Sequence, residues 1–213
     1  MKDVSQRSAD NDVAIFILAG GKSTRMGEDK AFVMLSGQTL LARAMETAHA
    51  VSGDVRIVGE ARKFREYSAV VEDVFRNCGP LAGIHAALRS SSAELNLILA
   101  VDLPFVTPDL LRFLLRRARE SSAMVTLPRS ETGWQPLCAV YRRAFADVAE
   151  QALQQRRYKI DALFDRDRVL VVDGQELSAE GFHQNLFRNM NTPEELAEAG
   201  PLAQKQRSGL PVL

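Results

Sequence analysis

The residues best suited to chemistry lie close together near the start of the chain, between Leu18 and Lys30. This stretch holds three glycines, two hydroxyl side chains and three cations: Gly20, Gly21, Gly27, Ser23, Thr24, Lys22, Arg25 and Lys30. Glycine lets backbone N–H groups approach an anion closely, and arginine and lysine supply charge for phosphate oxygens. The apolar run before the stretch, residues 13–18, is typical of a buried β-strand. A strand that leads into such a loop predicts a phosphate cradle, and hence a nucleotide ligand.

Two common nucleotide-binding motifs do not fit the spacing of these glycines. A Walker A loop needs a glycine five residues before Gly21, where this chain has Phe16. The dinucleotide pattern G-x-G-x-x-G also fails, because Gly20, Gly21 and Gly27 are wrongly spaced for it. The spacing therefore excludes a P-loop and a dinucleotide fingerprint, and it leaves another kind of phosphate loop.

The composition narrows the class of protein. The chain has 213 residues, with 27 lysines and arginines balanced by 27 aspartates and glutamates. A neutral balance argues against nucleic acid or an anionic membrane as the partner. Cys78 and Cys138 lie in no metal-ligand pattern, and we expect both to be buried and reduced. Because no apolar run is long enough for a bilayer and residues 1–12 do not resemble a signal peptide, we expect a soluble cytoplasmic protein.

Strand-like and helix-like segments alternate along most of the chain. We expect strands over residues 13–18, 54–59, 68–71, 95–101, 123–127, 135–141, 169–172 and 186–190. We expect helices to begin at residues 40, 80, 108, 142 and 193, of which the fourth ends at residue 157. This alternation predicts an α/β fold with one doubly wound, mainly parallel sheet, to which residues 123–141 add one antiparallel strand. We expect a disordered tail over residues 1–12, a single domain over 13–200 and a C-terminal tail over 201–213.

A second group that could do chemistry is Asp102, directly after the predicted strand 95–101. In open α/β sheets, ligands bind outside the carboxyl ends of the strands, where the glycine loop also lies. A carboxylate there can hold a hard cation such as Mg²⁺, which in turn binds phosphate oxygens. A glycine loop and a metal-binding aspartate together predict a site for a nucleoside triphosphate.

The glycine stretch resembles the signature of the molybdenum cofactor guanylyltransferase family, L-A-G-G-x-S-x-R-M-G-x-D-K. Further segments match that family in the right order: residues 79–83 (GPLAG), 102–105 (DLPF), 135–137 (QPL) with Tyr141, and 189–195 (NMNTPEE). The resemblance covers roughly residues 13 to 200, and five motifs in order are far more specific than one. It implies a Rossmann-like nucleotidyltransferase in which the terminal phosphate of molybdopterin attacks the α-phosphate of GTP, with Mg²⁺, and pyrophosphate leaves.

The resemblance also implies roles for individual residues. Arg25, Lys30 and Asp102 would be catalytic, with Asp102 on the metal ion. Nucleotide-binding residues would be Leu18, Ala19, Gly20, Gly21, Ser23, Lys30, Asp73, Gly79, Pro80, Leu81, Gly83 and Asp102. The family uses an acid before the GPLAG segment to recognise guanine; Glu72 and Asp73 are the nearest acids here, and Asp73 is the candidate. The acceptor side would involve Arg156, Arg157, Asn189 and Asn191.

Other readings of these segments stay open at the level of the sequence. Arg156 and Arg157 are equally consistent with a solvated helix face. Trp134 and Gln135 are further candidates for contact with the pterin, although packing is favoured for Trp134. A cytidylyltransferase or sugar-phosphate nucleotidyltransferase of the same fold is the alternative activity, although Ala19-Gly20-Gly21 favours guanine over the Ala-Ala-Gly of related cytidylyltransferases. A catalytically silent GTP-binding module is the alternative from another class. The expected partners are GTP, molybdopterin and proteins of cofactor biosynthesis or delivery to molybdoenzymes.

Overall fold

The apolar runs of the sequence form the strands of a central sheet in a computed structural model, which describes residues 12–20, 29–190 and 192–207. In chain order, the strands are β1 (Val13–Leu18), β2 (Met34–Leu35), β3 (Gln38–Thr39), β4 (Val55–Val58), β5 (Ala69–Val71), β6 (Leu95–Ala100), β7 (Val125–Ser130), β8 (Gly133–Trp134), β9 (Cys138–Arg142) and β10 (Val169–Val172). The sheet has the strand order β10-β7-β9-β6-β1-β4-β5, and β8 pairs with β7.

Most of the pairings in this sheet are parallel, as the sequence predicts. Strand β1 pairs in parallel with β4 and β6, β4 with β5, and β7 with β10. Strand β9 is antiparallel to both β6 and β7, so the antiparallel strand predicted within residues 123–141 is confirmed. The short strand β8 is antiparallel to β7, while β2 and β3 form a separate hairpin.

Helices cover both faces of the sheet. They are α1 (Leu40–His49), α2 (Ala61–Phe64), α3 (Pro80–Ser90), α4 (Pro108–Arg119), α5 (Phe145–Gln154), α6 (Gly174–Ala179) and α7 (Pro193–Arg207), with 3₁₀ helices at Lys30–Phe32, Ile160–Leu163, Arg166–Arg168 and Gln184–Phe187. Alternate residues of β1 enter different cores, because successive side chains of a strand point to opposite faces. Ile15 and Ile17 pack with α1 and α4, whereas Phe16 packs with α3 and α5. The doubly wound α/β architecture is therefore confirmed.

Three of the predicted helix starts carry hydroxyl caps. Thr39 Oγ1 accepts a hydrogen bond from the Ala42 amide at 3.1 Å, and Thr107 Oγ1 accepts one from the Leu110 amide at 3.3 Å. At α7, the Thr192 amide donates to Glu195 Oε2 at 3.1 Å, and the Glu195 amide donates to Thr192 Oγ1 at 3.2 Å. This reciprocal pair is a capping box.

Several predicted boundaries are wrong. Residues 186–190 form no strand; the chain there is the 3₁₀ helix Gln184–Phe187, because Leu186, Phe187 and Met190 all turn into one core instead of alternating between two faces. Strand β7 continues through Pro128 to Ser130, where a turn is predicted, since β10 and β8 pair with this part of it. Helix α5 begins at Phe145, not at residue 142, because Arg142 still pairs with Leu95 in the sheet.

The burial of Cys78 and the end of helix α7 also differ from the predictions. Cys138 is buried as predicted, whereas Cys78 is only partly buried, because it lies in the loop before α3; both thiols are free. Helix α7 extends to Arg207, beyond the predicted domain boundary at residue 200. Within the described ranges, no helix combines the length and the apolar character that crossing a membrane requires.

Candidate active site

The chain that leaves β1 is held between its two neighbouring strands at their carboxyl ends. The amides of Ala19 and Gly20 both donate to the Val58 carbonyl, at 3.0 and 3.1 Å, and the Val101 amide donates to the Leu18 carbonyl at 3.1 Å. The phosphate loop therefore starts from a fixed point at the middle of the sheet edge. Three of its predicted functional residues, Gly21, Ser23 and Arg25, lie outside the described residues, and so does Asn191.

Lys30 and Asp102 meet at this edge, although 72 positions separate them in the sequence. The distance between Lys30 Nζ and Asp102 Oδ2 is 3.0 Å, and each side chain is 23% exposed. Asp102 follows the end of β6 by two residues, one more than predicted, because the strand ends at Ala100. The site thus presents a cation and a carboxylate side by side, within reach of a ligand from solvent. That combination suits a polyphosphate and the metal ion that accompanies it.

The surroundings of Asp102 suit a metal ion held by one carboxylate together with substrate phosphates better than a metal ion enclosed by protein ligands. Among residues 12–20, 29–190 and 192–207, no three His, Cys, Asp or Glu side chains gather as they would in a preformed metal cage. Mg²⁺ commonly keeps several waters and is held by one or two carboxylates together with substrate phosphates. Asp102 can supply one such carboxylate. The Met190 amide donates to the Asp102 carbonyl at 3.0 Å, which brings the exposed Asn189 into the same neighbourhood.

The segment 79–83 forms a tight helix start against the end of β1. Gly79 has φ +71°, a conformation that L side chains rarely adopt, and Pro80 then occupies the first turn of α3. A Cβ added at Gly83 would lie 3.3 Å from Leu18 Cδ2, 3.4 Å from Val58 Cγ1 and 3.8 Å from Asp73 Oδ1. Helix α3 therefore packs closely on the sheet, as its small residues predict, and Leu81 is fully buried beneath it.

Asp73 lies beside Leu18 and Gly83 with one carboxylate oxygen left without a protein partner. Its Oδ1 atom is buried and accepts no hydrogen bond from any described residue. Burial raises the pKa of the Asp73 carboxyl group, and the nearby His85 opposes that shift. Because an unsatisfied buried acceptor is costly, this oxygen is suited to accept a hydrogen bond from a ligand. Of the two acids considered from the sequence, Glu72 instead accepts a hydrogen bond from the Ala61 amide at 2.9 Å.

Arg156 and Arg157 follow helix α5, which ends near the same edge of the sheet. Ion pairs between helices α3 and α5 indicate that the two helices run antiparallel. Arg89, near the end of α3, pairs with Asp147 and Glu150 in the first half of α5. The end of α5 therefore lies beside the start of α3. Cys78, the residue before Gly79, raises the pKa of Tyr158, the residue after the arginine pair. Both arginines are exposed there.

Two other side chains considered for the acceptor are engaged within the fold. The ring of Trp134 lies 5.6 Å from that of Phe164, centroid to centroid. Gln135 Nε2 donates to Ser130 Oγ at 2.7 Å and to Thr132 Oγ1 at 3.2 Å. The packing interpretation of Trp134 is therefore the one that the structure favours.

Sequence reasoning missed Lys63, which approaches the site from α2. Lys63 Nζ lies 3.0 Å from Asp29 Oδ2 and 3.0 Å from Glu60 Oε1. The motif contains Asp29, but nothing in the local sequence indicates which cation faces it. The sequence shows only that residues 60–63 form a short, highly charged segment, and this does not identify the partner of Asp29.

Comparisons with known proteins agree with this geometry. The family model for the MobA-like NTP transferase domain matches residues 15–172. A protein from Desulfosudis oleivorans, named molybdenum cofactor guanylyltransferase, is 37% identical over 186 residues, which cover 86% of this chain and 92% of that protein. A protein from Pelotomaculum thermopropionicum, named probable molybdenum cofactor guanylyltransferase, is 33% identical over 195 residues, covering 91% of this chain and 94% of the relative.

A solved structure gives the same result at the level of the fold. The crystal structure of molybdopterin-guanine dinucleotide biosynthesis protein A from Archaeoglobus fulgidus matches with a TM-score of 0.79 and 28% sequence identity. The match covers 90% of this chain and 99% of that one. Because this family model matches most of the chain, the chain belongs to the MobA-like NTP transferase family of nucleotidyltransferases.

Proposed function

We propose that this protein transfers GMP from GTP to the terminal phosphate of molybdopterin, giving molybdopterin guanine dinucleotide and pyrophosphate. The main support for this proposal is the ion pair of Lys30 and Asp102 near the end of β6, in which Lys30 Nζ lies 3.0 Å from Asp102 Oδ2. The names of the relatives support the choice of nucleotide and acceptor. The pair supports a site for chemistry on phosphate, because it places a cation and a carboxylate together.

The reaction needs charge stabilisation and alignment more than covalent help from the protein. A phosphate oxygen of molybdopterin bonds to the α-phosphorus of GTP, and the bond from that phosphorus to the bridging oxygen breaks as pyrophosphate leaves. A terminal phosphate is largely ionised at neutral pH, so the attacking oxygen needs no general base. Lys30 and Arg25 would hold the triphosphate and offset its charge. The amides of Gly20, Gly21 and Ser23 would hold phosphate oxygens.

Asp102 would hold Mg²⁺, which suits a single carboxylate that is partly open to solvent. When bound, the ion neutralises charge that develops on the phosphate oxygens. Asn189 and Asn191 would contact the metal or a substrate phosphate. We place Arg156 and Arg157 on the molybdopterin side, because the end of α5 brings them beside the nucleotide segment 79–83.

The base would lie between the end of β1 and the start of α3, against Leu18, Ala19, Gly79, Pro80, Leu81 and Gly83. Guanine carries two neighbouring donors, the N1–H and the 2-amino group, and a carboxylate can accept from both. The unpartnered Oδ1 of Asp73 supports this assignment. Cytosine offers a carboxylate only its 4-amino donor, so Asp73 favours guanine over the cytidylyltransferase alternative.

The remaining alternatives also have distinguishing features. A sugar-phosphate nucleotidyltransferase would share Lys30 and Asp102 but would accept a different phosphate. A silent GTP-binding module would not need the metal-binding aspartate together with the cation. We propose that the protein acts in the cytoplasm and passes its product to proteins of cofactor biosynthesis or delivery.

The test is pyrophosphate release from GTP, CTP, ATP and UTP, each with Mg²⁺ and with molybdopterin, with a sugar phosphate in its place, or with no acceptor. We expect release from GTP only when molybdopterin is present, and stronger protection against thermal unfolding by GTP than by CTP. Release that favours CTP would refute the guanine assignment. Release that requires a sugar phosphate would replace the acceptor, and binding without any release would support the silent module.

A further inference from the structure

Residues 58–63, which lead from the end of β4 into the short helix α2, contact the chain at both ends of the phosphate loop. On the side before the loop, Val58 accepts from the Gly20 amide, and Gly59 follows it directly. A Cβ added at Gly20 would lie 3.6 Å from the Gly59 Cα atom. On the side after the loop, Lys63 of α2 lies 3.0 Å from Asp29. One continuous segment, residues 58–63, therefore contacts the chain both before and after the phosphate loop.

Asp29 uses its two carboxylate oxygens for different contacts. Oδ1 accepts from the Ala31 amide at 3.2 Å and thereby caps the 3₁₀ helix Lys30–Phe32. Oδ2 accepts from Lys63 Nζ at 3.0 Å. The orientation of the cap is thus coupled to Lys63. Because Lys30 is the first residue of that 3₁₀ helix, the direction in which its side chain leaves depends on the cap.

An apolar contact supports the same connection. Phe64, which is 1% exposed, stacks on Phe32 at the other end of the 3₁₀ helix, with ring centroids 5.8 Å apart. The Phe64 ring also fills the space beside Gly59, where an added Cβ would approach Cε2 to 2.7 Å. Helix α2 is therefore fixed against the sheet edge, so Lys63 extends from a rigid base.

We propose that Lys63 is a positioning residue for the transfer reaction: through Asp29 it orients Lys30 toward Asp102 and the triphosphate. The inference rests on the proposed function for its kinetic test. It concerns a lysine outside the phosphate-loop motif, on a segment 34 positions further along the chain than Asp29. The ion pair is partly shielded, with side-chain exposures of 36% for Lys63 and 24% for Asp29. Hydrogen bonds with Glu60 and then Asp29 raise the pKa of Lys63, so it remains charged at neutral pH.

The expected size of the effect follows from the geometry. A displacement of about 1 Å in a catalytic group can cost up to about 100-fold in rate. Loss of Lys63 leaves the Phe64–Phe32 contact in place, so we expect a smaller loss, of about tenfold in kcat/KM for GTP. The Lys63→Arg variant retains a donor to Asp29 and should recover most of that loss.

A double-mutant cycle separates positioning from general stability, because two residues that act through one another are not additive. The Lys63→Ala change should lower kcat/KM about tenfold in the wild-type background but less than about twofold in the Lys30→Ala background. The matched control is Arg62→Ala on the same helix. Arg62 is 81% exposed and pairs with Glu60, and its loss should leave the rate unchanged. Equal losses in both backgrounds, or no loss in the wild-type background, would overturn the inference.

A second measurement needs no substrate, so it separates this inference from the proposed function. The Ala31 amide donates to Asp29, and its hydrogen exchange reports on the cap. Lys63→Ala should speed exchange at Ala31 several-fold, while Arg62→Ala should not. If the wild-type protein transfers no GMP, the proposed function fails, and exchange at Ala31 alone decides whether Lys63 holds the cap. Unchanged exchange would refute the coupling.

Discussion

The substitution Asp73→Asn should weaken the recognition of GTP without lowering the stability of the ligand-free protein. The Oδ1 atom of Asp73 is buried beside Leu18 and Gly83 and has no partner among the described residues. If it accepts from guanine, the neutral amide should weaken the use of GTP. A hydrogen bond to a charged group contributes about 1.5–3 kcal/mol. At about 1.4 kcal/mol per factor of ten, kcat/KM for GTP should fall about 10- to 150-fold.

The same substitution should have the opposite effect on the folded protein without ligand. Burial raises the pKa of Asp73 above its ordinary value of 3.8, so the folded state binds this proton more tightly than the unfolded state. Stability from this group is present at low pH and is lost as the pH rises from about 3.8 through the raised value. At pH 7 the charge therefore costs stability. The Asp73→Asn variant should unfold at an equal or higher temperature than the wild-type protein when no nucleotide is bound.

The assay compares GTP with ITP, which lacks the 2-amino group. Wild-type protein should prefer GTP, and Asp73→Asn should shrink that preference because the carboxylate that accepts from the amino group is gone. The matched control is Glu72→Gln, since Glu72 accepts from the Ala61 amide and should leave the GTP/ITP ratio unchanged. An unchanged ratio in Asp73→Asn, or a shift in Glu72→Gln instead, would refute the assignment of Asp73 to the base.

Three further predictions concern the phosphate site, the acceptor and the thiols. Lys30→Ala and Asp102→Ala should each retain the circular dichroism of the fold but lose about 10²- to 10³-fold in kcat, as removal of a charge-stabilising group does; full activity in either would contradict the site. Arg156→Ala should raise the KM for molybdopterin more than that for GTP, and equal changes would remove Arg156 from the acceptor side. Cys138, whose pKa burial raises to about 12, should resist a thiol reagent in the folded protein while Cys78 reacts; two reactive thiols before unfolding would contradict the burial.

The meeting of Lys30 and Asp102 could be predicted because it follows from a general rule. Both residues come after strands that end at the same edge of a parallel sheet, so the topology places both residues at that edge. The helix starts at Thr39, Thr107 and Thr192 were also predictable, since a capping hydroxyl acts within its own turn. Local signals of this kind do not depend on the rest of the fold.

Other features depend on contacts that no local pattern encodes. Residues 186–190 are apolar enough for a strand, but they pair with no strand of the sheet, and Met190 instead donates to the Asp102 carbonyl. Lys63 and Asp29 meet across 34 positions, and the segment around Lys63 contains two other cations, Arg62 and Arg65, that the sequence does not distinguish from it. The orphaned oxygen of Asp73 appears only once α3 and β1 are packed together. Tertiary packing decides each of these features.

Transfer of GMP to molybdopterin is measured by following a radioactive label from GTP into the product. With Mg²⁺ and molybdopterin, [α-³²P]GTP should place its label in a molybdopterin guanine dinucleotide, identified by mass, while [γ-³²P]GTP should place its label in pyrophosphate. Glu72→Gln should behave like the wild-type protein, and Lys30→Ala should give little of either product. Release of the α-label as free GMP, or labelled pyrophosphate without any dinucleotide, would contradict the account.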